Sequence, residues 1–355
     1  MRGSGWLIGA GALAAGLAVL AFGLELAGYD SGAALGALWS GAFESWYALT
    51  SATLVRAVPL IVIGLGLALA FRAGAINIGG EGQLYAGAIA ATWIGLGVGG
   101  LPWPLALAAA LSGSLLAGAL WVAIPVLLRV RYGVLEVIST LLLNFVAESL
   151  TSLMVQGPLQ ESQHIYPQSD PIAESARLPL LPGTRIHAGL VLAIALALVL
   201  QWLFTRTIWG FRLRAVGLGP RAAEIAGRID SRWMAALALA LSGAIAGLAG
   251  GIEVAGVSYA LFQNLSPGYG FTAIAVALLG RLHPLGVVLA GLLFGALEAG
   301  AGAMQREAGV PAVAVYVVEA VVILAVLLAE SARRHGAASL AALGSGAPAA
   351  RKAHV

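Results

Sequence analysis

The chain has 355 residues, 60% of them hydrophobic and only 10% charged, with a formal net charge of +3 and no cysteine; its mean hydropathy is +0.94. A water-soluble domain carries about 25% charged residues, so this composition excludes a soluble enzyme and a disordered chain, and leaves the lipid bilayer as the solvent. The missing thiols exclude disulfides, a cysteine nucleophile and a cysteine-ligated metal, and the small basic excess reads as arginine beside membrane spans, with no nucleic-acid partner.

A spanning helix needs about 20 mostly apolar residues, because each backbone N–H and C=O must be satisfied within the hydrocarbon. That criterion predicts ten helices, near 6–26, 54–71, 84–101, 105–128, 134–156, 187–205, 234–257, 270–281, 284–303 and 312–329. The eighth is too short to span alone. The first lacks a small-x-small cleavage site near residue 26 and is expected to remain as an uncleaved anchor. Together they make a transmembrane domain over 1–331, followed by an alanine-rich tail, 332–355, expected to be disordered and cytoplasmic.

Arginine placement sets the orientation. With both termini cytoplasmic, fifteen of the 19 basic residues fall on one side, while Arg56, Arg177, Arg185 and Arg306 fall on the other. Two apolar stretches are interrupted by glycine, proline and polar residues: Phe71 to Gln83 and Asn264 to Phe271. They follow helices 2 and 7, so they occupy equivalent places in two five-helix halves of opposite orientation. Paired interruptions of this kind point to a central pathway; ordinary connecting loops are the alternative.

The segment 206–233 holds six arginines. Within it, 217–229 reads as a short helix with Gly219 as cap and Pro220 at a first helical position. Ala222, Ala223, Ile225, Ala226 and Ile229 give it a small apolar face, which would dock on a protein or lie on acidic lipid.

Polar residues within the spans are costly and face a cavity or a partner. Asn77, Glu81 and Gln83 lie on the first interruption. Glu136, Thr140 and Asn144 are spaced i, i+4, i+8 on the fifth helix, with Glu148 one turn on and Ser139 nearby. Such a stripe either lines a pathway or bonds to a neighbouring helix. Glu253, Glu298 and Glu319 are left open among pathway, dimer-contact and structural roles.

No G-x-x-x-x-G-K-[ST] occurs, so any ATP would be hydrolysed by another chain. Gly95 to Gly100 matches G-x-G-x-x-G but ends an apolar helix with no strand before it. The five histidines have no metal-ligand spacing, and Gly243, Gly247 and Gly251 read as a close helix contact.

Four runs carry a family resemblance: 71–90, with its Asn-Ile-Gly and Glu-Gly-Gln; 133–147, with Glu-Val-Ile-Ser-Thr; 217–229; and 268–286. In order, from about residue 50 to 330, the chain resembles the ABC-importer permeases of the branched-chain amino acid and simple-sugar family, most of all the nucleoside-uptake branch. The resemblance implies an all-α type II importer permease of about ten helices in two inverted halves, in a bacterial or archaeal plasma membrane. It implies an ABC ATPase subunit carrying ATP and Mg, a second permease, identical or homologous, and an extracytoplasmic substrate-binding lipoprotein, all in membrane lipid.

Gly219, Pro220, Arg221, Ala222, Ala223, Glu224, Ile225, Ala226 and Gly227 would then be the helix coupling the permease to the ATPase, and Ala223→Glu is expected to uncouple it without unfolding the chain. For an uncharged nucleoside, the neutral Asn77, Gln83, Thr140 and Asn144 suit the pathway, while Glu81 and Glu136 suit support of the broken segment. Simple-sugar or branched-chain amino acid import is the alternative within the mechanism. A proton-coupled secondary transporter is the alternative outside it.

Overall fold

The computed structural model describes residues 4–311, with 316, 317, 320, 321 and 324. Most of the tenth expected helix and the whole tail, 332–355, lie outside the described residues. Among these there is no strand, only isolated bridges joining Gln168 to Phe262 and Leu180 to His187. The helices, in order, are α1 (Ser4–Leu26), α2 (Ser31–Trp39), α3 (Leu54–Arg72), α4 (Gly80–Gly97), α5 (Trp103–Tyr132), α6 (Glu136–Val155), α7 (Gly189–Arg206), α8 (Ile208–Leu218), α9 (Pro220–Gly227), α10 (Ser231–Glu253), α11 (Tyr269–Leu279) and α12 (Pro284–Glu307). Among the described residues, six stretches are long and apolar enough to cross a membrane: Ala48–Arg72, Trp103–Tyr132, Glu136–Val155, Gly189–Arg206, Ser231–Ser258 and Pro284–Glu307.

The chain divides into two compact units, one comprising Leu38–Gly300 and the other the residues before and after it. In the latter, the turn after α1 is fixed by the Glu25 carboxylate, which accepts from the Ser31 N–H and hydroxyl. In the former, α3 is the centre: every residue from Ala57 to Ala70 is buried. Against it pack α7, α10 and α11, with α4 and α5 beyond α10 and α6 beyond α4.

The α4–α5–α10 seam is a backbone contact. A Cβ on Gly87 would lie 2.0 Å from the Gly247 carbonyl oxygen, and one on Gly118 would lie 2.2 Å from that of Gly243. Only glycine lets three helices approach so closely, as the spacing of Gly243, Gly247 and Gly251 leads one to expect.

Three departures from the expected elements have physical causes. First, α4 begins at Gly80, four residues before the expected 84, so Glu81 and Gln83 sit in its first turn and not in a loop. Glycine costs a helix about 1 kcal/mol relative to alanine, but here the small residues admit α6 and α11 to contact distance. Second, α8 precedes the expected short helix; the Thr207 hydroxyl caps it by accepting from the Gly210 N–H at 3.1 Å, and its arginines hide its apolar periodicity. Third, α2 and the π-helical turns Ser40–Glu44 and Ala48–Thr53 occupy ground left without a helix, because nine residues fall below a spanning length.

Candidate functional site

After Arg72 the helix ladder stops, and residues 73–79 run without helix to Gly80. Their backbone polar groups lose the helix ladder and need other partners, and side chains of α6 supply them. The Ile76 N–H approaches the Glu136 Oε1 at 3.4 Å, the Ile78 N–H donates to the Thr140 hydroxyl at 3.2 Å, and the Ile78 carbonyl accepts from the Asn144 Nδ2 at 2.9 Å. The Asn144 Oδ1 also accepts from the Gly82 N–H at 2.8 Å. Glu136 is held by Arg129 at 2.7 Å. Ser139 turns back on its own helix, within reach of the Leu135 and Glu136 carbonyls.

Asn77 and Gln83 form a reciprocal amide pair, Nδ2 to Oε1 at 2.9 Å and Nε2 to Oδ1 at 3.0 Å. Asn77 also caps the Gly79 N–H at 2.8 Å and donates to the Ser242 hydroxyl of α10 at 2.9 Å. Asn77, Gln83, Thr140 and Asn144 are all buried. Asn77, Gln83, Glu136, Thr140 and Asn144, five of the expected residues, are thus gathered in one hydrogen-bonded brace whose partners are the chain itself.

The second interruption meets the first. The Glu81 Oε2 accepts from the Gly270 N–H at 2.6 Å, and a Cβ on Gly270 would lie 2.1 Å from the Glu81 nitrogen. The Tyr85 hydroxyl lies 3.4 Å from the Ser266 carbonyl and nitrogen, and the Ser266 hydroxyl caps α11 by accepting from the Tyr269 N–H at 3.0 Å. The first turns of α4 and α11, helices of 18 and 11 residues, therefore abut inside the protein. On neighbouring helices, Arg56 of α3 donates to the Glu298 carbonyl of α12 at 3.3 Å, and Glu253 is buried at the end of α10.

At the foot of the first interruption, the Arg72 Nε donates to the Leu282 carbonyl at 2.8 Å and its guanidinium lies 4.5 Å from the centre of the Phe204 ring. Gly217, at the end of α8, presses on the same place: a Cβ there would lie 2.0 Å from the Arg72 carbonyl oxygen. The basic segment thus touches the broken one directly. A cavity of about 220 Å³ beside this contact is lined by Gly74, Arg129, Gly217, Pro220 and Arg232.

α9 begins as expected, with Gly219 as cap and Pro220 in its first turn. Its expected apolar face is split. Ala223 is 7% exposed and Ile229 9%, facing the chain, whereas Ile225 is 85% exposed and Leu218 91%. Arg221, Ala222, Glu224, Ala226 and Gly227 are exposed, and Glu224 accepts a hydrogen bond from Ser231. The outward apolar contact of this segment is therefore Leu218 with Ile225, and not Ala223, because eight residues give just over two turns and the inner turn is taken by α8 and α10.

Two participants were not singled out by the sequence: Ser242 is one small residue among many in α10, and Tyr85 acquires a role only once α11 is folded against α4; Ser266 and Gly270 lie in the second interruption, whose partner the sequence did not name. On the far side of the brace, in the segment between α6 and α7, His187 is buried, and burial pushes its pKa down to about 4. Its Nδ1 accepts from the Gly189 N–H at 3.2 Å.

The sequence model of one protein family, described as "Branched-chain amino acid transport system / permease component", matches residues 49–327. Among characterised proteins, the chain is 39% identical to the glucose ABC transporter permease protein TsgB13 of Haloferax volcanii, over 90% of this chain and 87% of that one. It is 38% identical to the guanosine ABC transporter permease protein NupP of Bacillus subtilis, over 88% and 90% of the two chains. It is 34% identical to the nucleoside ABC transporter permease protein NupB of Lactococcus lactis, over 76% and 77%. No solved structure matches. Permeases of this kind work with a separate ATPase subunit and a substrate-binding protein, which removes the self-sufficient proton-coupled carrier from consideration. The chain belongs to the branched-chain amino acid transport system permease family, and is a multi-pass plasma-membrane transport subunit rather than an enzyme.

Proposed function

We propose that the chain is the translocation subunit of an ATP-driven nucleoside importer. The observation that carries this reading is the similarity, over most of the chain, to guanosine and nucleoside permeases. A buried brace of neutral amides and hydroxyls, with no cationic group in it apart from Arg129, agrees with an uncharged cargo. The similarity to a glucose permease supports a second reading, a sugar; both are neutral and rich in hydroxyl groups.

In this reading ten helices in two inverted five-helix halves make the domain 1–331, with both termini cytoplasmic. The abutting starts of α4 and α11 are the midpoints of the two halves. A second permease, identical or homologous, completes the unit in membrane lipid. An extracytoplasmic lipoprotein delivers substrate, and ATP with Mg binds on the partner ATPase.

The segment 206–233 couples the subunits. α9 (Gly219 to Gly227) enters a cleft of the ATPase through Ile225 and Leu218, and its movement reaches residues 73–79 through Gly217 and Arg72. Asn77, Gln83, Thr140 and Asn144 then shape the pathway by holding its broken wall, with Glu81 and Glu136 as its supports.

Vesicles containing the reconstituted transporter test this: ATP-dependent uptake of radiolabelled guanosine, competed by other nucleosides and not by glucose, is the expected result. Competition by glucose alone would move the sugar reading to first place. Uptake that a protonophore abolishes while ATP stays high would overturn the ATP-driven mechanism.

A further inference from the structure

Glu148 lies on α6 one turn beyond Asn144, about 18 Å along the helix from Glu136 at 1.5 Å per residue. It is thus well inside the span Glu136–Val155. Asn144 is buried, but Glu148 is exposed, and no described residue gives its carboxylate a hydrogen bond or ion pair. An exposed, unpaired carboxylate at that depth does not face lipid tails; it faces water or a partner. Its helical neighbours are Phe145, 58% exposed, and the half-buried Ser152. One turn back on the same helix, Asn144 accepts from the Gly82 N–H in the first turn of α4, so this side of α6 borders the place where α4 and α11 meet. Further round α6, Leu142 at 57%, Val146 at 51% and Leu153 at 62% exposure form an apolar strip that suits lipid, with the exposed Ser149 the one polar residue among them.

Resting on the importer reading above, we propose that the Glu148 side of α6 is a water-exposed wall of the substrate pathway. There the Glu148 carboxylate accepts hydrogen bonds from the hydroxyl groups of a neutral, polyhydroxylated substrate. Two carboxylate oxygens offer about four acceptor positions, enough to take both hydroxyls of a vicinal diol such as that of ribose. A lone, hydrated carboxylate holds such a group weakly, which suits a passage from which the cargo must leave.

The natural absence of cysteine makes the test direct. Glu148→Cys, Ser152→Cys and Leu142→Cys are made singly in the complete transporter in vesicles and exposed to a positively charged methanethiosulfonate reagent, with labelling read on this chain by mass. Glu148→Cys and Ser152→Cys are expected to react, and guanosine in excess is expected to slow the reaction; Leu142→Cys stays unlabelled. If Glu148→Cys is as inert as Leu142→Cys, or reacts only after the subunits are separated, the wall is instead a lipid or subunit contact and the proposal fails.

The hydroxyl role is read separately with Glu148→Gln. Uptake of guanosine should fall about tenfold or more, the scale of one lost hydrogen bond to a charged group, while 2′,3′-dideoxyguanosine uptake hardly changes. An equal loss for both, or none, overturns it. Wild-type vesicles without ATP-dependent uptake would sink the importer reading instead, an outcome that the labelling pattern distinguishes.

Discussion

The Glu81 carboxylate accepts the Gly270 N–H at 2.6 Å, tying the first turn of α4 to the first turn of α11 across 189 positions of sequence. Glu81→Ala would leave that donor without its acceptor inside the protein, at about 1–3 kcal/mol for a buried group left unpaired. Glu81→Gln keeps one acceptor oxygen. Thermal unfolding in detergent should therefore rank wild type above Gln and Gln above Ala; an Ala variant melting with wild type would show that the two helices are held together by packing alone.

Asn144 ties Ile78 and Gly82 at once, donating to one carbonyl and accepting from one N–H. Asn144→Ala removes both bonds, and Asn144→Asp keeps the acceptor while burying a charge. Both variants should lower stability by a few kcal/mol and reduce uptake more than they reduce binding of the substrate-binding protein. A fully active Asn144→Ala permease would remove the brace from any account of transport.

On α9 the exposures separate two substitutions of the same kind. Ile225→Glu places a carboxylate on a residue 85% exposed, leaving the fold intact while disrupting contact with the ATPase. Ala223→Glu forces one into a position 7% exposed and should destabilise the chain. Co-purification with the ATPase and ATP-driven uptake decide the matter: loss of both with a normal melting curve is expected for Ile225→Glu only.

At Gly217, any side chain meets the Arg72 carbonyl, since a Cβ would lie 2.0 Å from its oxygen. Gly217→Val should push α8 away from the end of α3. Basal ATP hydrolysis by the assembled transporter should persist, while its stimulation by loaded substrate-binding protein should fall severalfold. Retained stimulation would place the transmission route elsewhere.

His187 gives a pH dependence. Burial lowers its pKa from 6.5 to about 4, so between those values the unfolded chain binds a proton that the folded chain does not. Stability is full above about pH 6.5 and declines as pH falls towards 4, by up to about 3 kcal/mol. The melting temperature should drop between pH 7 and pH 5, and the drop should be smaller in His187→Gln. Parallel curves for the two proteins would contradict this.

Much of this arrangement was legible in the residues. Apolar length placed most of the spans, and the glycine and amide runs at 71–83 and 264–271 marked both interruptions. The i, i+4, i+8 spacing put Glu136, Thr140 and Asn144 on one face. What spacing does not carry is the partner across the gap. The stripe of α6 was compatible with a pathway or with a neighbouring helix, and the structure supplies Ile76, Ile78 and Gly82 as its bonding partners. Gly80 and Gly82 read as loop because intrinsic propensity is local, whereas the contacts that make them helical come from α3, α6 and α11. Ala223 and Ile225 were equivalent in sequence and differ only in what lies behind them.

The glycine seam of α4, α5 and α10 has a consequence for genetics. Where backbones touch at Gly87, Gly118 and Gly247, almost every substitution removes the protein from the membrane before it can transport badly. A selection for altered uptake will therefore leave that seam blank, so that the map of viable mutations traces the line along which the three helices touch.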